Sequence, residues 1–373
     1  MGTGRTDLPE PVIAVLPGNE QVEKHGATLV VRFTGPRKVL STSWLNGGYR
    51  TDLRAVFNHQ IPVEACESCH NGGSVRDYLK GVARGLGFDA GFVTGLVTRA
   101  EMRNTAIRTE QFRDLTVTAI VTAGIDKNGG RAGDPASYYE DGDSFEPIGG
   151  TINTILVIVA DLPEYVMARV LMTASEAKAA ALQQLMARSL YSCGIATGSG
   201  TDMIAIVSDP GSRLRLTDAG KHAKLGELIG RTVIRATTKA LEMETGLSAE
   251  SQRDVLVRLS RFGVTEEDLW IASSTSSGTP GNGEDRKRFL RTLRSRATEP
   301  VFLARVTSAL HIVDEETWGL IPRKDACRAI RSFSGSGTMP ECPCNSSDDD
   351  PLTLVCHMVA IEVKQVAGNP PVR

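Results

Sequence analysis

Apolar residues recur along this chain at two spacings. Runs at 29–33, 116–122, 151–160 and 203–207 have the length of strands and are rich in Val, Ile and Thr. Stretches at 163–190 and 221–244 instead repeat apolar residues every three to four positions, over lengths that only helices reach. Strands alternating with long helices predict a mixed α and β domain over residues 28–246. No repeat of solenoid period is present.

The flanks have a different texture. Residues 1–27, rich in Pro, Gly and charge, read as an N-terminal lead-in. Beyond Gly246 a charged helical stretch reaches Trp270, and a Ser/Gly-rich linker follows near 273–283. A basic helical segment at 286–296, an acidic run at 348–350 and a strand-like stretch at 352–363 complete a less regular C-terminal extension, 247–373, with no legible function.

Composition narrows the classes. With 373 residues the chain can form one large domain or two. Apolar residues at 41% and charged residues at 23% are ordinary globular usage. Forty-two basic against 44 acidic residues leave a net charge of -2, so no basic field attracts nucleic acid. The longest strongly apolar run, 155–160, is far too short to cross a bilayer, and the N-terminus carries no secretory core. A cytoplasmic protein without membrane partners is expected, whose seven cysteines are mostly reduced thiols.

Four stretches carry more information. They are Ser41-Thr-Ser-Trp-Leu-Asn-Gly-Gly-Tyr with Phe57-Asn-His59; Thr122-Ala-Gly with Asn128 and Arg131-Ala-Gly-Asp-Pro; Gly150-Thr-Ile-Asn153 through Ala174-Ser-Glu-Ala-Lys178; and Ala196-Thr-Gly-Ser-Gly-Thr-Asp202 with Ala219-Gly-Lys-His222 and Leu225-Gly-Glu-Leu-Ile-Gly230. In content and order this set resembles the adenosylcobinamide amidohydrolase family over roughly residues 39–245. The resemblance implies hydrolysis of the amide joining aminopropanol to the corrin ring, giving adenosylcobyric acid in cobamide salvage. It implies a small-molecule corrinoid as partner and no cofactor; a homodimer is compatible with it. Gly150-Thr-Ile-Asn153, with the later Gly-Ser-Gly-Thr-Asp202 before a strand, is also distantly similar to β-aminopeptidases and ornithine acetyltransferases. That likeness implies an α+β fold in which two sheets are sandwiched between helix layers. Those enzymes generate a Ser or Thr nucleophile by self-cleavage, and this sequence shows no comparable sign of processing.

Amide hydrolysis needs an attacking oxygen, a proton shuttle and donors for the oxyanion. The glycines of Thr197-Gly-Ser-Gly-Thr-Asp202 permit backbone shapes in which amides converge on a negative oxygen, and Ser199 or Thr201 can attack. A tight turn feeding a buried strand explains the same residues. His222 lies at the start of a helix whose inner face is carried by Leu225, Ile229 and Val233, at offsets of three, seven and eleven, which predicts an inward ring and a general base; a core histidine bonded to backbone is the plainer alternative. Glu176 and Lys178 point about 200° apart on a helix, so only one faces a site, and Glu176 is favoured. Asn153 heads an apolar strand, where its amide can donate to an oxyanion. Asp202 completes the catalytic set. Asn46, Gly47, Gly48, His59, Asn128, Arg131 and Thr151 are candidates for binding the corrin amides, with Trp44, Tyr49, Tyr138 and Tyr139 as surfaces for the ring. Turn formation and ordinary packing are their structural alternatives.

Two competing classes remain. Cys66-Glu-Ser-Cys69-His70 matches the c-type haem attachment pattern, and Cys66, Cys69, Cys342 and Cys344 form a thiolate set if the tail folds back. Haem of this type is attached after export, so no metal is expected. The other is a corrinoid carrier that binds without turnover.

Overall fold

Leu115–Gly124, Thr151–Ile158 and Met203–Ser208 are buried at every position, and this sets the architecture. Strands covered on both faces need a layer above and a layer below. The computed structural model describes residues 11–65, 74–136, 150–275, 282–333 and 350–368, in two compact units, 1–248 and 249–373.

The first unit holds two sheets. One consists of β1 (Val12–Val15), β2 (Gln21–His25), β3 (Thr28–Arg32), β6 (Ala55–Gln60) and β7 (Val93–Thr98), in that order. The other runs β5 (Gly48–Arg50), β4 (Lys38–Ser41), β13 (Met203–Ser208), β11 (Thr151–Ile158), β9 (Leu115–Gly124), β8 (Ala106–Phe112). A two-residue pair, β10 (Gly129–Gly130) and β12 (Gly198–Ser199), lies apart from both. Helix α1 (Val75–Gly85) lies between the parallel strands β6 and β7 in the chain, and α2 (Glu164–Gln184) between the parallel β11 and β13. Helix α3 (Lys224–Thr245) follows.

Period-two alternation sorts the side chains into layers. Ile155, Val157, Ala205 and Val207 of the six-stranded sheet meet Val22, Leu29, Val31, Val56 and Leu96 of the five-stranded sheet. Their sequence neighbours Leu156, Ile158, Ile204 and Ile206 face the other way, onto Val170 and Ala174 of α2 and Ile229 and Val233 of α3. Phe57, Val30 and Val93 cover Leu79 and Ala83 of α1. The result is the sandwich of two sheets between helix layers. Val12–Val15 and Gln21–His25 correct the reading of residues 1–27 as a mere lead-in, since two strands form there. The first is an edge strand with alternating half-exposed positions, a weak signal in sequence.

The second unit is helical among its described residues. Its helices are α4 (Val255–Ser260), α5 (Glu266–Thr275), α6 (Gly283–Arg296), α7 (Pro300–Thr317), α8 (Arg323–Ser332) and α9 (Pro351–Gly368). Capping is explicit: Asp254 caps α4, Asn282 and Asp285 form a capping box on α6, and Pro300 opens α7. Phe289, Leu293, Phe302, Val306, Val355 and Val359 fill the core, and a buried bidentate pair joins Arg261 to Asp314 at 2.9 and 2.6 Å. Residues 352–363, expected as strand, lie within α9. Leu354, Val355, Met358, Val359 and Val363 are buried there at intervals of three and four, a helical stripe inside a continuous apolar run. Among the described residues, no helix is long and apolar enough to cross a membrane.

Candidate active site

Four strand ends meet at one end of the six-stranded sheet. β11 begins at Thr151, opposite Gly124 at the end of β9. β13 begins directly after Asp202, and Asn153 of β11 pairs with its first residue, Met203. β4 ends at Ser41, and Thr42 continues the pairing: its amide donates to Ile204 O at 3.0 Å, and Ile204 N–H donates to its Oγ1 at 2.9 Å. β10 and β12 close over this end, joining Gly129 to Ser199. Parts of all four stretches singled out in the sequence, residues 41–42, 122–129, 150–153 with Lys178, and 198–202, are thus neighbours in space.

Asp202 is the hub. Its Oδ1 accepts from Ile152 N–H at 2.8 Å and Ser199 Oγ at 2.5 Å; its Oδ2 accepts from Ser199 N–H at 3.0 Å and pairs with Lys178 Nζ. Carboxylate and ammonium side chains are only 11% and 14% exposed, so each depends on the other for compensation. Gly198 makes the approach feasible, since a Cβ there would stand 2.4 Å from Asp202 Oδ2 and 2.7 Å from Lys178 Nζ. The Gly-rich loop does converge an amide on a negative oxygen, and that oxygen is the chain's own.

A second cluster surrounds the carbonyl of Gly150. It accepts from Asn128 Nδ2 at 2.6 Å, Thr201 Oγ1 at 2.9 Å and Ser199 Oγ at 3.2 Å. The hydroxyls of Thr151 and Thr201 lie 2.8 Å apart. Beside this end of the sheet opens a hollow of about 570 Å³, lined by residues 41–44, 46–48, 50 and 76. Asn46 shapes its rim: a left-handed residue, φ 50°, it donates to the carbonyls of Ala90 and Val93, both at 2.7 Å. Trp44, 39% exposed, offers the hollow an aromatic face. Tyr49 turns away and packs on the core beneath the helices.

Several sequence expectations are corrected by this geometry. His222 is exposed and lies before the Ala223 cap of α3, outside the helix whose periodicity placed it inward. Lys224 at that end of α3 stacks on Phe112 beside the β8–β9 turn, whereas Glu244 at the other end reaches Gly124. The 22 residues of α3 span about 33 Å, and His222 lies just before the end opposite Glu244, next to Lys221, which pairs with Glu176. Glu176 forms an exposed ion pair with Lys221 at 2.6 Å, and Lys178 is the member of the pair that faces the site. The signal was present: Ala174, Ala177 and Ala181 are buried, and position 178 lies on that stripe where 176 does not. Asn153 spends both amide hydrogens between the sheets, on Asn58 Oδ1 and Val97 O, each at 2.9 Å, and Asn58 donates on to Thr122 at 2.8 Å. It braces the two sheets rather than facing an oxyanion. Arg131 lies exposed beside β10, with its amide held by Asp134.

His59 lies at the end of β6, under α1. Its ring is held between Thr28 Oγ1 at 2.7 Å and Tyr78 OH at 2.8 Å, with α1 over it. Burial pushes its pKa down to about 4. A histidine depressed in the folded state contributes stability that is whole above about pH 6.5 and lost as pH falls toward 4, because the unfolded chain takes up the proton first. Between pH 7 and 4 the parent should therefore lose roughly 2–3 kcal/mol more than His59→Gln. Parallel slopes of unfolding free energy against pH would exclude this.

Cys66, Cys69, His70, Cys342, Cys344, Tyr138 and Tyr139 lie outside the described residues. Among the described residues, no group of three or more His, Cys, Asp or Glu side chains is placed to hold a metal ion.

Comparison with known proteins agrees with the motif pattern. A curated protein of Methanocaldococcus jannaschii, described as uncharacterized, is 36% identical over 226 residues, covering 57% of this chain and 85% of its own. The adenosylcobinamide amidohydrolase of Methanosarcina mazei is 27% identical over 224 residues, 58% of this chain and 94% of its own. Solved structures of a Pyrococcus horikoshii protein and a Burkholderia sp. β-aminopeptidase match at 13% and 16% identity with TM-scores of 0.31 and 0.30. They cover 61% and 62% of this chain, and 80% and 83% of their own. The profile of one family, adenosylcobinamide amidohydrolase, matches residues 14–249, the sandwich unit almost from end to end. The chain belongs to the adenosylcobinamide amidohydrolase family.

Proposed function

We propose that this chain hydrolyses the amide bond between aminopropanol and the corrin ring of adenosylcobinamide, releasing adenosylcobyric acid for cobamide salvage in the cytoplasm. The observation that carries this reading is the meeting of parts of all four motif stretches at one end of the six-stranded sheet, around Asp202 and the hydroxyls of Thr151, Ser199 and Thr201. A corrin is broad, flat and fringed with amides, which suits an open hollow with a polar floor and an indole at its edge. The amide-bearing arm enters, and the ring stays outside.

The chemistry divides among the residues present. One of the clustered hydroxyls supplies the attacking oxygen, and Asn128 Nδ2 with Thr201 Oγ1 donates to the oxyanion. Asp202, fixed by Lys178 and Ile152 N–H, holds the loop that carries Ser199 and Thr201. Mass spectrometry of purified protein incubated with adenosylcobinamide should show adenosylcobyric acid and aminopropanol in equal amounts. Corrinoid that stays bound but intact would make the chain a carrier and defeat the hydrolase reading.

A further inference from the structure

We propose that the chain cuts its own Gly150–Thr151 peptide bond, and that the Thr151 hydroxyl at the new terminus is the nucleophile for the substrate amide. The second half rests on the amidohydrolase reading; the first does not.

The observation is the setting of one backbone carbonyl. Gly150 O is met by three side-chain donors from two other segments, Asn128 on one side and Thr201 and Ser199 on the other. It is held as an oxyanion would be held. Assigning the protons makes the arrangement directional. The carboxylate of Asp202 at 2.5 Å claims the Ser199 hydroxyl proton ahead of Gly150 O at 3.2 Å. Thr201 directs its proton at Gly150 O, leaving its own oxygen to accept from Thr151, 2.8 Å away. The path for the proton therefore runs from the Thr151 hydroxyl through Thr201 to the oxygen of the Gly150 carbonyl, whose carbon Thr151 would attack.

The step balances without an external oxidant or reductant. Thr151 Oγ1 adds to the Gly150 carbonyl carbon through a five-membered ring while its proton passes by way of Thr201 to the carbonyl oxygen. The intermediate collapses by breaking the C–N bond, and the proton moves to the nitrogen, which becomes the free α-amine of Thr151. The resulting ester between Gly150 and the Thr151 side chain is hydrolysed by water, giving a Gly150 carboxyl group and the free hydroxyl. In the uncut chain, Asn128 and Thr201 are spent on Gly150 O, so the donors needed by a substrate carbonyl are occupied. Cleavage frees them and leaves a hydroxyl and an amine side by side, a nucleophile with its own base.

Intact-mass spectrometry of the denatured full chain, followed over hours after purification, tests this directly. Fragments 1–150 and 151–373 are expected, the second beginning with Thr151 by terminal sequencing. Thr151→Val, which keeps the shape but lacks the hydroxyl, should stay at full mass, cutting at least 100-fold slower, with a cooperative thermal melt showing that it is folded even though the lost hydroxyl bond to Thr201 lowers its melting temperature. Thr151→Ser should still cut, and Thr201→Val should slow cutting about 10-fold or more. Adenosylcobyric acid formation is measured on the same samples. Full-length mass in the parent overturns the self-cleavage, whether or not adenosylcobinamide is hydrolysed; so does cutting in a folded Thr151→Val. A cut chain that leaves adenosylcobinamide intact upholds the cleavage and removes the amidohydrolase reading. A folded Thr151→Val with parental turnover overturns the nucleophile assignment.

Discussion

Asp202→Ala should cost about 3–5 kcal/mol of stability and reduce turnover at least 100-fold, and adding Lys178→Met should restore much of the stability and none of the turnover. The reason lies in what each side chain leaves behind. Removing the carboxylate strands a largely buried ammonium, the amides of Ile152 and Ser199, and the Ser199 hydroxyl. Converting Lys178 to Met removes the worst of these, the uncompensated charge, and leaves the others. Single substitution of Lys178 should destabilise less than that of Asp202, because the carboxylate keeps three donors. Urea unfolding of the four variants closes the cycle. A coupling energy below about 0.5 kcal/mol would mean that the two groups act independently, against the geometry. Turnover stays lost in the double variant because Asp202 ties the loop bearing Ser199 and Thr201 to β11. Without it those hydroxyls have no fixed relation to Gly150.

Legibility in the sequence followed what each signal physically encodes. The runs at 116–122 and 151–160 were readable as strands because layers on both faces demand apolar residues at nearly every position. The same kind of apolar-rich run at 352–363 misled, since its Val and Ile content suits a strand while Leu354, Val355, Met358, Val359 and Val363 form one buried helical stripe, and composition alone does not separate the two. His222 shows another limit. Leu225, Ile229 and Val233 do mark the inner face of α3, but a 3.6-residue period has no meaning before the first helical residue, and the chain turns at Ala223. Glu176 and Lys178 exclude one another on one helix face, and the choice between them lies in the buried stripe of Ala174, Ala177 and Ala181, on which position 178 falls and 176 does not. The Gly150 cradle was illegible because its donors come from positions 128, 199 and 201, and no local spacing connects them. Only the pairing of β9, β11 and β13 does.

Gly150→Ala should destabilise the sandwich unit by roughly 3–5 kcal/mol, a fall in melting temperature on the order of 10 °C, and should also abolish amide hydrolysis. Two independent terms add here. The residue has φ 114°, a conformation that glycine adopts freely and an alanine resists. A Cβ would also stand 2.2 Å from Asn128 Oδ1 and 3.1 Å from Gly124 O, and neither group has room to retreat. Gly124 is locked opposite Thr151 in the sheet. Asn128 is buried, and its Nδ2 is the shortest of the three donors to Gly150 O, so turning its amide aside gives up the bond that holds the carbonyl in place. Relief of the clash and retention of the cradle are therefore incompatible. Gly124→Ala is the control: it keeps both Gly150 and Asn128, and its Cβ would meet nothing closer than 3.5 Å. Thermal melts and adenosylcobyric acid formation, measured on both variants, separate the site from the strand. A Gly150→Ala protein that melts within about 2 °C of the parent and turns over normally would show that the Gly150 carbonyl has no fixed place in the chemistry.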